Sequence, residues 1–340
     1  MSSRNGKVKT WAEVYQKFEK RCAAKRVKAS SMATYGRTMG RFCEWADAEG
    51  IIPAEFEPFD AVDYLGGITQ KNGEPYTAHS LRTHARDVKT LLNFAADFRI
   101  IPEKIKVEMP KTPDDTIKAL TDSELELVLA HFVAQGDSNP RDAAIAYLLK
   151  DSGIRAAELL ALNWDDLSWD EERQQGTIQV TKQMNRKREF VPTKNGKPRI
   201  TFFYADTWHW LGQVLHFEGS VLALRAMRAT KPGEVVPDWP DVSGFDPSGP
   251  IFRLSYGTPE RMGASGLGYM LRTAGKRIGV HLTPHLFRHT CGRILTKKGL
   301  SPIAIMQMLG HSDLTMVMRY SRLWGPDLAE VMAEAMNGDG

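Results

Sequence analysis

The hydrophobic period changes twice along this chain, and those changes confine it to a mainly helical fold with a small β element. Between residues 10 and 100, apolar residues recur at helical steps: Trp11, Val14, Tyr15 and Phe18, then Tyr35, Met39, Phe42 and Trp45, then Leu81, Val88, Leu91, Leu92 and Ala95. Each set lines one face of an α-helix. Gly66-Gly67 and Lys71-Asn72-Gly73 interrupt the pattern, which predicts a bundle of about four helices. Over 177–204 the chain takes on β character. Thr177-Ile-Gln-Val180 alternates, and Phe190-Val191 and Ile200–Tyr204 flank Lys194-Asn195-Gly196-Lys197. Asn-Gly between β-like segments predicts a hairpin. A helix is expected over 139–160, carrying Ile145, Leu148, Leu149 and Leu159, and the chain reads as helical again from 264 onward.

Residues 106–118 hold two prolines, several charges and no period, which reads as a linker. Thr121-Asp-Ser-Glu124 then opens an apolar-periodic run as a capping box. The expected organisation is a helical domain over 1–107, a linker over 108–118 and a second domain over 119–340. The stretch 229–250 is rich in Pro, Gly and Asp and reads as a long loop or insertion.

Charge is unevenly spread. The net charge is only +4, yet residues 1–41 carry 11 Lys/Arg against 2 Asp/Glu. A second island, 182–199, carries 7 Lys/Arg against Glu189 alone. Two separated basic patches suit a polyanion gripped from two sides. Lys25, Arg26 and Lys28 in the first patch, and Lys182 and Lys197 in the second, are the candidate contacts. No apolar run approaches the ~20 residues that span a bilayer, and the N-terminus lacks the apolar segment of a signal peptide. Three cysteines make neither a disulfide framework nor a metal-ligand spacing. A reducing cytoplasm is the expected setting.

The chemistry concentrates in the second half. Pro284 starts a helix that sets His285 and Arg288 three apart on one face. A cation and a titratable imidazole on one face suit a phosphate. Histidines at 281, 285 and 289 also invite a metal reading, but Pro284 separates His281 from the helix register and no acid accompanies the pair. His289 is expected to be a buried, hydrogen-bonded histidine. Ser301-Pro302 opens the next helix and Gly310 closes it. His311 follows that cap, and Tyr320 lies nine residues on, between Arg319 and Arg322. Upstream, Arg155 stands at a helix end with Glu158 three residues later, an acid placed to orient the guanidinium.

Arg155-x-x-Glu158, a hairpin lysine, His285-x-x-Arg288, His311 and Tyr320 together resemble the active site of the tyrosine site-specific recombinases, the phage integrase family. The elements come in family order across 119–325, and the bundle at 10–105 is similar to the family's core-binding domain. The resemblance implies an N-terminal core-binding domain joined to an integrase-like catalytic domain. It implies that Tyr320 attacks a DNA phosphodiester to leave a 3′-phosphotyrosine and a free 5′-hydroxyl. Arg155 and Arg288 would clamp the phosphate oxygens, His285 would act as base and His311 as hydrogen-bond donor, and Lys194 would protonate the leaving oxygen, with Lys197 as competitor. No metal or cofactor is implied. Because the bundle begins near residue 10, the extra arm-site domain of some integrases is not expected. The apolar stripe Leu328, Val331, Met332 and Ala335 marks a terminal helix over about 326–337, either packed on its own domain or, as the family more often does, docked on a neighbouring protomer in a tetramer on double-stranded DNA. A type IB topoisomerase and a non-catalytic DNA-binding regulator are the alternatives.

Overall fold

The computed structural model of the chain describes residues 8–112, 118–229 (219–229 as backbone alone), 246–311, 313–314 and 317–318. The chain divides into two compact units, Met1–Asp115 and Thr116–Gly340. Among the described residues no helix is long and apolar enough to cross a membrane.

The first unit contains four α-helices among its described residues: α1 (Trp11–Ala24), α2 (Ala29–Ala48), α3 (Pro58–Gly67) and α4 (Ala78–Asp97). The periodic residues are the ones that pack. Trp11 is fully buried and meets Phe42 and Phe56 edge-on at 5.0 and 4.9 Å between ring centres. Phe18 meets Phe94 at 5.4 Å. Each such ring contributes about 1.5–3 kcal/mol by leaving water, and edge-on contact adds a further increment. The start of α1 is closed from outside its own turn: the Asp47 carboxylate accepts from the Trp11 and Ala12 amides at 2.7 and 3.1 Å. Those amides have no partner within α1. Lys25 and Arg26 lie in the turn after α1 and Lys28 caps α2, all three exposed.

The second unit is built around α6 (Pro140–Ser152), whose Ala143–Ala146, Leu148 and Leu149 are all fully buried. Around it pack α5 (Asp122–Val133), α8 (Ala205–Ala229) and α10 (Pro284–Lys297); α7 (Ala156–Leu159), α9 (Ala264–Ile278) and α11 (Pro302–Leu309) complete the helices. Thr121 and Glu124 form the expected capping box of α5, with the Glu124 carboxylate accepting from the Thr121 amide at 2.8 Å. The helix expected over 139–160 is broken. Gly153 takes a left-handed φ of +54° and closes α6, and α7 begins afresh with Arg155 as its N-cap. A Cβ on Gly153 would sit 2.5 Å from Leu309 Cδ2, so close packing adds to the backbone demand for glycine.

The β region also departs from expectation. Strands β1 (Leu167–Asp170), β2 (Gln175–Val180) and β5 (Arg199–Tyr204) form one antiparallel sheet, while β3 (Lys182–Met184) pairs β4 (Phe190–Pro192) in another. The Lys194–Lys197 turn therefore does not join paired strands; it carries the chain from the second sheet to the first. Pro192 and Pro198 flank it, and without amide hydrogens they cannot extend a ladder across it. Within β5, Thr201 and Phe203 face inward and Ile200 and Tyr204 face outward. Of the stretch 229–250 expected as a loop, Ala229 still belongs to α8. Residues 246–250 turn back onto the unit, with the Gly249 carbonyl accepting from the Trp164 amide at 3.3 Å, and 230–245 lie outside the described residues.

Candidate active site

Helix α11 ends at Gly310, whose φ of +65° only glycine adopts freely. The last carbonyls of a helix have no partner within it. Here three consecutive ones are each taken by a different arginine. Arg199 Nε donates to Met308 O at 3.0 Å, Arg288 donates to Leu309 O, and Arg155 donates to Gly310 O at 2.7 Å. The partial negative charge of a helix C-terminus favours such cations. Arg155 thereby meets a residue 155 positions away in sequence, beside the main chain that leads to His311.

Each guanidinium is held a second time. Arg288, only 2% exposed, also donates to Gly153 O at 2.7 Å, the carbonyl presented by the left-handed break after α6. Arg155 donates to Glu158 Oε1 at 2.9 Å and its amide to Oε2 at 3.0 Å. Arg199 grips both Glu158 oxygens, at 2.9 and 2.6 Å. Glu158 is fully buried. Burial pushes its carboxyl upward, but the hydrogen bonds and charge of Arg199, then Arg155, outweigh that and hold it below the ordinary range.

The imidazoles gather on the same spot. Thr283 caps α10, accepting from the Leu286 amide at 3.1 Å, with Pro284 in its first turn. His285 is exposed, and His289, expected buried, is partly so; their ring centres lie 4.2 Å apart. Although its side chain keeps an exposed edge, His285 is pushed below its usual value by the desolvation of its protein-facing side, then by the charges of Arg288, Arg155 and Lys194. His289 falls to about 4 through burial, His285 and Arg288. His311 falls to about 3 through burial, then Arg288, Arg155, His289 and His285. Burial and the surrounding cations thus bias these histidines towards the neutral form. An anion bound among them would reverse that bias.

This has a measurable consequence. A histidine with a lowered pKa refuses protons that the unfolded chain accepts, so folding stability is lost as pH falls below about 6.5. The melting temperature is expected to drop by several degrees between pH 7.5 and 5, and less steeply in His289→Asn. Equal slopes in wild type and variant would contradict the assignment.

The turn between β4 and β5 forms the rim. Gly196, at φ +69°, closes onto Thr193 O at 2.8 Å, and Asn195 Nδ2 reaches Gly310 O at 3.3 Å. A cleft of about 620 Å³ opens there, lined by Arg155, Asn195, Lys197, Arg199, Gly310 and His311. Lys197 lines the cleft, while the charge of Lys194 bears on His285, so both candidate acids stand at the rim. Lys182 stands elsewhere. Its ammonium pairs with Asp166 at 3.1 Å, so the charge expected for DNA is engaged within the protein. Tyr320, Arg319, Arg322 and the helix expected over 326–337 lie outside the described residues.

Arg199 was not singled out in sequence, although a signal existed. It shares a strand face with buried Thr201 and Phe203, and a charge on an inward face must find a buried partner.

The sequence profile of the Phage integrase family matches residues 230–324, the stretch holding His285, Arg288, His311 and Tyr320. A tyrosine recombinase XerA of Saccharolobus solfataricus is 28% identical over 233 residues, covering 68% of this chain and 62% of the relative. A tyrosine recombinase XerA of Thermococcus kodakarensis is 23% identical over 323 residues, covering 95% of each chain. Among solved structures, the Tn1549 transposon integrase in complex with a circular intermediate DNA superposes with a TM-score of 0.66 at 20% identity, over 92% of this chain and 94% of that one. That likeness reports the fold, and the two relatives match over most of this sequence. With the arginines and histidines gathered at the end of α11, these findings agree: the chain carries a phage integrase family segment over 230–324 and is similar over most of its length to tyrosine recombinases, which supports a tyrosine site-specific recombinase.

Proposed function

We propose that this enzyme exchanges double-stranded DNA at specific sites by passing a phosphodiester to Tyr320 and back. The observation that carries the reading is that Arg155 and Arg288, from separate helical segments, meet at the carbonyl end of α11 beside His311, where Arg155, Lys197 and His311 line one cleft and the charges of Arg288, Arg155 and Lys194 bear on His285. A phosphodiester repels nucleophiles because it is anionic. Two guanidiniums fixed by protein carbonyls offset that charge without reorganising as it grows in the transition state. A phenol ionises ordinarily near pH ~10, so attack needs a base. In this reading His285 is the base that takes the proton.

In the forward step the Tyr320 oxygen bonds to phosphorus as the bond from phosphorus to the 5′ oxygen breaks. The departing oxygen takes a proton from Lys194 or Lys197, leaving a 5′-hydroxyl and a 3′-phosphotyrosine. His311 donates a hydrogen bond to a non-bridging oxygen. Attack by another strand's 5′-hydroxyl reverses the step, so the energy of the broken bond is kept in the protein link. In this reading the first unit grips the core site, with Lys25, Arg26 and Lys28 on the backbone. The segment 326–337 joins protomers into a tetramer, supported by its apolar stripe. The three cysteines, all unbridged and buried, suit a reducing cytoplasm. The alternatives, a relaxing enzyme and a silent regulator, fit less well, since the relatives reported above are themselves recombinases. The Tn1549 likeness makes mobile DNA the natural substrate to try first.

The test uses nicked duplexes tiled across the DNA flanking the native gene. Wild type is expected to form an SDS-resistant adduct with one of them. Tyr320→Phe should bind that duplex with unchanged affinity and form none. Cross-linking on the duplex should yield tetramers, and a chain ending at Gly325 should not. Absence of any wild-type adduct across the set would remove the strand-exchange reading.

A further inference from the structure

Three arginines close the end of α11, and the mechanism uses two. We propose that Arg199 is the positioning residue of the site: it locks Glu158, and through it Arg155, to the carbonyl end of α11 that carries His311. The inference rests on the strand-exchange reading above.

Arg199 is the first residue of β5, opposite Val180 in the register with β2. Its side chain is only 9% exposed. One edge of the guanidinium spans both oxygens of Glu158, while Nε reaches back to Met308 O. The planar fork makes both contacts at once, which an ammonium cannot do. The aliphatic part lies under Gly310: a Cβ added there would stand 2.8 Å from Arg199 Cδ. Arg199 thus touches the acid that orients Arg155, the carbonyl before the one that Arg288 takes, and the glycine immediately before His311. Its neighbours on the other side of the cleft wall are Ile200, Phe202 and Met308. Each of its three guanidinium nitrogens already donates within the protein, to Met308 O or to Glu158, so it acts through Arg155 and His311. It sets the distance between Arg155 and His311.

The arrangement makes Arg199 separable from a residue that merely supports the fold. Among the described residues the charges bearing on Glu158 are Arg155, beside it on α7, and Arg199 from β5. Without Arg199 a buried carboxyl keeps one cation and holds its proton to higher pH. Once protonated, it releases Arg155. Cleavage should then fail at a pH where wild type still works. DNA affinity, set by many phosphate contacts, should hardly change.

The experiment measures adduct formation against pH, with DNA affinity and melting temperature alongside, for wild type, Arg199→Gln and Arg199→Lys on the nicked duplex that wild type attacks. In Arg199→Gln the maximal rate is expected to fall on the order of 100-fold, as misplaced reacting groups do. Affinity should stay within about threefold, and the acid limb should move to higher pH. Arg199→Lys should return the acid limb towards wild type because it restores the charge. Its maximal rate should stay below wild type because it cannot also hold Met308 O. Near-wild-type cleavage by Arg199→Gln overturns the inference. So does a slowed rate with an unmoved acid limb, which marks a structural role alone. Should Arg199→Gln fail to fold, Arg199→Lys decides: full wild-type cleavage by it overturns the inference. A wild type that forms no adduct fails the strand-exchange reading itself, and the inference falls with it.

Discussion

Replacing Arg288 by methionine is expected to cost both catalysis and stability. The side chain is buried, and it donates hydrogen bonds to Gly153 O and Leu309 O, which belong to different helix ends. Methionine fills similar space but donates nothing. Two buried carbonyls then lose their partner, at about 1–3 kcal/mol each. In the strand-exchange reading the phosphate also loses a preorganised donor, which elsewhere slows a reaction by about 100- to 1000-fold. Denaturant unfolding and the rate of adduct formation should fall together. Arg288→Lys should recover part of the stability and little of the rate, because one ammonium cannot span both carbonyls and still face a phosphate. If Arg288→Met unfolds and cleaves as wild type does, Arg288 has neither role.

Glu158→Gln is expected to be nearly as damaging for the opposite reason. The carboxylate is fully buried between Arg155 and Arg199. Neutralising it leaves two guanidiniums together without an anion, and breaking such a pair costs about 3–5 kcal/mol. DNA affinity should hold or rise, since a negative charge has left the proposed phosphate site, while the cleavage rate falls. The double variant Glu158→Gln/Arg199→Met should regain part of the stability lost in the single variant, because both members of the pair are then gone. A cycle showing simple additivity would mean the two side chains do not act as a unit. Because the folded carboxyl is held low, its contribution is present above about pH 4.5 and lost as pH falls through the folded value. The acid sensitivity of the protein therefore has two sources, with the histidines acting at higher pH than Glu158.

The helix starts and stops were readable because they are local. Thr121 with Glu124, Thr283 with Pro284, and Ser301-Pro302 with Gly310 each satisfy orphan backbone groups within four residues or reverse the chain at a glycine. The break at Gly153 was missed because the apolar period runs through it. What fixes the break is the contact of Gly153 with Leu309, far along the chain. The turn at 193–197 was readable for the same local reason, but its strand partners were not. Strand pairing is a competition among distant segments, and Pro192 and Pro198 exclude one partner without naming the other.

Local spacing alone determined the kinds of group present and their order: the capped helices, the amphipathic faces of the first unit, His285 and Arg288 three apart, and His311 just after a helix end. Only the tertiary structure decided that the carbonyls of Met308, Leu309 and Gly310 are the meeting point, and that Arg199 joins Arg155 and Arg288 there. The reason is physical. A helix end leaves carbonyls that something must satisfy, but nothing in the nearby sequence says which cations will arrive, and two of them, Arg155 and Arg199, come from more than a hundred residues away.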